Sequence, residues 1–244
     1  MLLSRLLLLL AVYQYGGTFI GAIVCSDGIV VAADSRSTFM TGQGEAFAFV
    51  DGMPKIYVDR GAAVALSGMS SLDGELFSSF VNRNRFLLAR PVNEILFGFL
   101  LYVPFTNSTG IAMISAGFLD GKPMICAKSP IADQGCSNSG YFASKPSPLL
   151  RETLTSLNRK ATMDEGVAAL KAAIEASAQT DVTVGGPVSI VKLTSDGPPQ
   201  WVGAVLSDGG LNQICDLVRE RRSDIMPLGT RQELDLHLSA ACPK

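Results

Sequence analysis

The chain carries one histidine, His237, in 244 residues. Ser-His-Asp and Cys-His hydrolases and multi-histidine metal sites would all have to work through that residue, which reads as an exposed position on a terminal segment. Charge is also sparse: 17% of residues are Asp, Glu, Lys or Arg, with a net charge of -2, against roughly a quarter in ordinary soluble domains. No basic field for nucleic acid exists. With 48% hydrophobic residues, the chain can build a sizeable core and still hide apolar surface against neighbouring subunits. Five cysteines without a CxxC pair lack the spacing of a zinc site and predict free thiols rather than a disulfide framework. Neither GxGxxG nor GxxxxGK[ST] occurs, so no nucleotide cradle is expected, and no cofactor or metal. No apolar run approaches the roughly 20 residues of a membrane span, so the mature form is expected to have no membrane segment.

What is present begins with a leader. Residues 1–17 read MLLSRLLLLLAVYQYGG, with Arg5 the only charge and an apolar run of eight over residues 6–13. The layout is that of a secretory signal, except that Tyr13-Gln14-Tyr15 replaces the small residues expected at a cleavage site. A propeptide removed by other means fits better, and in both readings the mature chain lacks this segment. Export is the location the first reading implies, the cytoplasm the second.

After the leader no repeat or linker divides the chain. Residues 19–24 and 28–33 predict a β-hairpin buried on both faces, and residues 55–58 and 62–67 a second one, after a glycine-containing loop over 41–52. Helices are predicted from Ser70/Ser71 to about residue 88, from Pro91 to about residue 102, over 147–157, and over 163–178 behind a Thr162/Glu165 capping box. Hairpins at 111–118/123–127 and 188–194/200–206 complete an α+β order: two antiparallel sheets between helical layers, a four-layer αββα sandwich.

A hydrolase without histidine can still use a threonine at its own N-terminus, because the free α-amine, with a pKa near 7.7–8.0, takes the hydroxyl proton. Gly17-Thr18 supplies such a junction directly after the leader. The block Thr18-Phe19-Ile20-Gly21-Ala22-Ile23-Val24, followed by Ser26-Asp27-Gly28 and Asp34-Ser35-Arg36 sixteen residues after the threonine, resembles the opening of proteasome β-type subunits. These belong to the N-terminal nucleophile hydrolases. Lys55-Ile56-Tyr57-Val58 and Leu66-Ser67-Gly68-Met69 match the same pattern in order and character, and the likeness extends to about Leu206.

The resemblance implies a domain over residues 18–206 with an extension of the same domain over 207–244. It implies a threonine-type endopeptidase, self-processed between Gly17 and Thr18. Thr18 would be nucleophile and, through its amine, base; Lys55 would lower the hydroxyl and amine pKa values; Asp34 would hold Lys55. The Gly68 N–H would face the oxyanion. Asp181 would support the amine, as would Ser137 or Ser139, between which spacing does not choose. The substrate pocket would comprise Ser37, Met53, Tyr57, Leu66 and Ser70, uncharged and therefore suited to an apolar residue before the cut. Peptide or unfolded protein would be the substrate, a homo-oligomeric ring or stacked rings the working form, and an unfoldase a partner such a chamber can recruit. Three departures stand out: Val184 where a serine is usual, Phe19 where a small or hydroxyl residue is common, and a longer loop before Lys55. Two other functions remain: a catalytically silent structural subunit and an exported N-terminal nucleophile amidase.

Overall fold

The computed structural model describes residues 15–16, 18–41, 44–69, 71–72, 75–102, 111–129 and 132–242. Most of the leader, Gly17 and Ser70 therefore lie outside the described residues.

In chain order the strands are β1 (Tyr15–Gly16), β2 (Ile20–Val24), β3 (Ile29–Ala33), β4 (Ser37–Met40), β5 (Ala46–Val50), β6 (Ile56–Asp59), β7 (Ala62–Met69), β8 (Ser71–Leu72), β9 (Glu75–Leu76), β10 (Ala112–Leu119), β11 (Lys122–Ser129), β12 (Ala132–Ser137), β13 (Tyr141–Ala143), β14 (Ser189–Leu193), β15 (Gln200–Trp201) and β16 (Met226–Pro227). The helices are α1 (Phe77–Arg83), α2 (Val92–Tyr102), α3 (Pro148–Ser156), α4 (Met163–Thr180), α5 (Ile214–Glu220) and α6 (Arg231–Ala241). One antiparallel sheet runs β1-β7-β10-β11-β12, with β6 also on β7; a second runs β13-β2-β3-β14-β15.

Side-chain alternation builds the layers. On β2 and β3, Ile20, Ala22, Val24, Ile29, Val31 and Ala33 face the other sheet's Ala63, Ala65, Ala112 and Ile114. The intervening Ile23, Val30 and Ala32 pack on α3 and α4 through Leu150, Leu170 and Ile174. On β7, Val64 and Leu66 point the other way, to Phe80, Leu96 and Phe99 of α1 and α2. Continuous apolar runs of period two thus cover both faces of both sheets, which is what a strand buried on each side requires. The four-layer αββα sandwich expected from the order of elements is the fold observed. The capping box also forms as read: Thr162 Oγ1 accepts from the Glu165 N–H and the Glu165 carboxylate from the Thr162 N–H.

Several elements differ from expectation. Residues 46–50, read as loop, form β5, which pairs with β4 and β16 in a third small sheet. The helix expected over 70–88 is shorter: β8 and β9 pair first, α1 starts at Phe77, and Asn84 closes it by donating Nδ2–H to the Phe80 carbonyl. The last hairpin strand covers only Gln200–Trp201, because the Val202 and Gly203 N–H groups both point at the Ile190 carbonyl, an irregularity that ends the regular ladder. Residues beyond 209 build α5, α6 and β16 around Phe39, Val50, Met53 and Leu217. His237 is half-buried there, its ring 4.6 Å from that of Phe47.

The thiol expectation is overturned. Cys126 bonds Cys136 across β11 and β12, and Cys215 bonds Cys242, tying α5 to the end of α6; Cys25 alone is free, and burial with the nearby Asp27 charge pushes its thiol up to about 12. Odd number and irregular spacing hid the pairs, since strand register and helix packing bring them together. Loop-closure entropy over separations of 10 and 27 residues assigns about 2.7 and about 3.5 kcal/mol to the two bonds. Urea unfolding with and without dithiothreitol is therefore expected to differ by several kcal/mol; equal midpoints would contradict this.

Candidate functional site

The two sheets open at one end, where β2 begins, β3 ends and β7 passes. Thr18 lies at this point, 3% exposed. Lys55, just before β6, donates to Thr18 Oγ1 at 2.7 Å, to Asp34 Oδ1 at 3.0 Å and to the Arg36 carbonyl at 2.6 Å. Three acceptors match the three N–H bonds of an ammonium. Burial pushes the Lys55 pKa down, while the Asp34 carboxylate opposes that shift. Asp34 is fixed in turn: Oδ1 also accepts from the Phe19 N–H at 3.0 Å, and Oδ2 from the Arg36 and Gly185 N–H groups at 3.1 and 3.0 Å. The sixteen-residue spacing from Thr18 to Asp34 thus corresponds to a hairpin whose two ends meet.

Arg36 forks onto the Asp51 carboxylate at 2.8 and 3.0 Å, donates to the Val182 carbonyl, and lies 3.7 Å over the Phe49 ring. Gly185 permits this approach, since a Cβ there would meet the Arg36 guanidinium carbon at 2.6 Å. Gly68 follows Ser67 on β7 with φ +111°, a left-handed-side conformation open to glycine. Its partner across the ladder is Gly16 of β1.

The Thr18 carbonyl accepts from Ser67 Oγ at 2.9 Å and from Ser144 Oγ at 3.1 Å; Ser144 Oγ accepts from the Ile20 N–H. Besides Ser67, it is therefore Ser144, and neither Ser137 nor Ser139, that reaches the threonine. Ser137 and Ser139 are exposed at the end of β12, and the Ser137 hydroxyl donates to the Ser139 carbonyl. Asp181 pairs with Lys145, next to Ser144, and accepts from the Thr183 hydroxyl at 2.5 Å. Partial burial works against its ionised form, but the Lys145 and Thr183 hydrogen bonds hold its pKa below the usual carboxylate range. Val184 is fully buried, as is Phe19, and both belong to the apolar cluster between the second sheet and α3/α4.

Beside Thr18, Ser37, Met53, Pro54, Tyr57, Leu66, Phe77 and Ser78 line a narrow space with Lys55 and Gly68. Four of the five expected pocket residues are among them, and Ser70 lies outside the described residues. Burial, with Asp208 nearby, pushes the Tyr57 phenol up; its hydroxyl donates to the Pro54 carbonyl. Arg221, in the charged run Arg219-Glu220-Arg221-Arg222, turns inward. It donates to the Asp51 carbonyl at 2.8 Å and to Met53 Sδ at 3.5 Å, bracing the pocket wall from α5. No local pattern signals this, since the contact joins positions 170 residues apart.

Among the described residues no group of three or more His, Cys, Asp or Glu is placed to hold a metal, and no helix is long and apolar enough to cross a membrane.

No protein-family model and no curated protein matches the chain. Among solved structures it is similar to Anbu from Hyphomicrobium sp. strain MC1. The Gly-1 mutant of that protein superposes with a TM-score of 0.56 at 14% identity, over 85% of this chain and 94% of that one. Anbu itself gives 0.55 at 14%, over 84% and 94%. These findings correct the assignment to the proteasome β-type subunits: the structural neighbours are Anbu chains, not members of that family. The short blocks that carried the resemblance cover the hairpin end where Thr18, Asp34 and Lys55 meet, a local constraint that unlike sequences on one fold can share. At this identity the likeness establishes architecture alone: the chain shares with the Anbu chains a fold of antiparallel sheets between helical layers.

Proposed function

We propose that this protein is a threonine-type endopeptidase that removes its own leader between Gly17 and Thr18 and works in a ring-shaped oligomer. The observation that carries the reading is the Lys55 ammonium 2.7 Å from the Thr18 hydroxyl, itself anchored by a carboxylate that accepts three backbone N–H groups. A positive charge fixed on that oxygen stabilises its ionised form in a dry site, where such a charge acts strongly. Leader removal frees the Thr18 amine as base: it takes the hydroxyl proton, Oγ1 attacks the substrate carbonyl to give an ester, and the amine passes the proton to the leaving nitrogen. Water then hydrolyses the ester. The Gly68 N–H is the donor assigned to the oxyanion, and Asp181 with Ser144 holds the loop beside the amine. Ser137 and Ser139, exposed at the end of β12, receive no role.

An extended chain is favoured over a small amide by the leader itself, since Tyr15 and Gly16 pair with Met69 and Gly68 of β7 as an antiparallel strand. Ring assembly draws support from the low charge content and from the proteasome-related fold. Both disulfides support the exported location, because such bonds persist in oxidising compartments. Intact mass and N-terminal sequencing of purified active protein test the proposal: a chain starting at Thr18 that hydrolyses peptides is expected, and activity from an uncut chain would overturn it. Arg221→Ala is expected to raise KM for peptides by about tenfold with little change in kcat, as Met53 loses a charge-assisted brace worth roughly 1.5 kcal/mol. An unchanged KM would remove Arg221 from the pocket.

A further inference from the structure

Two buried side-chain hydroxyls among the described residues have no hydrogen-bond partner, Thr38 Oγ1 and Ser78 Oγ. Ser78 is the one that lines the space beside Thr18, and it is 4% exposed. It stands on the buried face of α1 with Phe77, Phe80 and Val81, and around it Met53, Leu66 and Phe77 give the pocket apolar walls. A buried hydroxyl left unpaired is unfavourable, and native structures seldom keep one without a use. The free volume there is about 20 Å³, room for one water or the tip of a small side chain.

We infer that Ser78 makes this pocket selective for a residue, just before the scissile bond, whose small side chain ends in an uncharged hydrogen-bonding group. The inference rests on the peptide-hydrolase reading above and refines the purely apolar preference expected from Leu66. A hydroxyl both donates and accepts, so it pairs equally with an amide or a second hydroxyl. An ionised side chain would lose its hydration without gaining a counter-charge, because the Lys55 donors are already directed at Thr18, Asp34 and the Arg36 carbonyl. An apolar isostere would seal the pocket and leave the Ser78 hydroxyl still unpaired.

Four fluorogenic peptides test it, alike except for Asn, Leu, Thr or Val before the cut. The full processed chain is expected to prefer Asn over Leu and Thr over Val by about fivefold to tenfold in kcat/KM. Ser78→Ala is expected to bring both ratios near one. Because that substitution deletes an unpaired group, it is also expected to raise Tm by about 2–4 °C. Hydrolysis without isostere preference, ratios unmoved by Ser78→Ala, or a lowered Tm would each overturn the inference while leaving the hydrolase reading standing. Failure of all four peptides to be cleaved by a chain that starts at Thr18 would overturn the hydrolase reading and this inference with it.

Discussion

Thr18→Ala is expected to yield a chain that keeps its leader and hydrolyses no peptide above background, a loss of roughly 10⁴-fold or more. The size follows from one residue holding two roles. Its hydroxyl supplies the attacking oxygen, and its amine, once released, supplies the base; no histidine stands by, since His237 packs on Phe47 in the third sheet's core. Folding should survive. The variant deletes one acceptor of the Lys55 ammonium and leaves Asp34 and the Arg36 carbonyl in place. Thr18→Ser separates chemistry from structure: it retains oxygen and amine and is expected to process slowly and to regain measurable hydrolysis. Mass spectrometry reads leader removal and a coumarin-releasing peptide reads turnover. Full turnover by Thr18→Ala would place the nucleophile elsewhere.

The fold was legible because strand pairs and their turns are written locally. Alternation of inward and outward apolar residues on β2, β3 and β7 specifies both sheets, and Thr162 with Glu165 marks the start of α4. The grouping of Thr18, Asp34 and Lys55 was legible only through the family resemblance, since spacing alone reads Asp34 as a charge at a strand end and Lys55 as a loop lysine. What the sequence concealed depends on distant packing. Ser144 reaches the Thr18 carbonyl because β13 pairs with β2, whereas Ser137 and Ser139 share the expected glycine-serine composition but lie on an exposed strand end. Arg221 looks like one charge in a solvated run until α5 packs behind Met53. Cys126 and Cys136 look unrelated until strand register sets them opposite each other. Val184 reads as a lost hydrogen bond, yet it is fully buried in the apolar cluster that also holds Phe19.

Asp34→Asn is expected to destabilise the fold by about 3–5 kcal/mol, because it leaves a buried ammonium without its counter-charge. The new amide also turns N–H groups toward a position where the Phe19, Arg36 and Gly185 N–H groups already point. Lys55→Met should cost less, about 1–3 kcal/mol, since Asp34 keeps three backbone donors after the ammonium is gone. The asymmetry is the test of how the site is built: the carboxylate is held by the backbone, the lysine chiefly by the carboxylate. In the double variant Asp34→Asn/Lys55→Met the unpaired charge disappears, so stability is expected to recover above that of Asp34→Asn while activity stays absent. Acidity adds a second reading. Burial lowers the Lys55 pKa in the folded chain, so the unfolded state binds the extra proton and stability rises with pH; without Asp34 to oppose that shift, the Asp34→Asn deficit should be larger near about pH 6 than near about pH 9. Urea unfolding of the three variants at both values measures the ranking and the slope together. A Lys55→Met chain less stable than Asp34→Asn, or a deficit that grows with pH, would mean that the ammonium is not what Asp34 is there to hold.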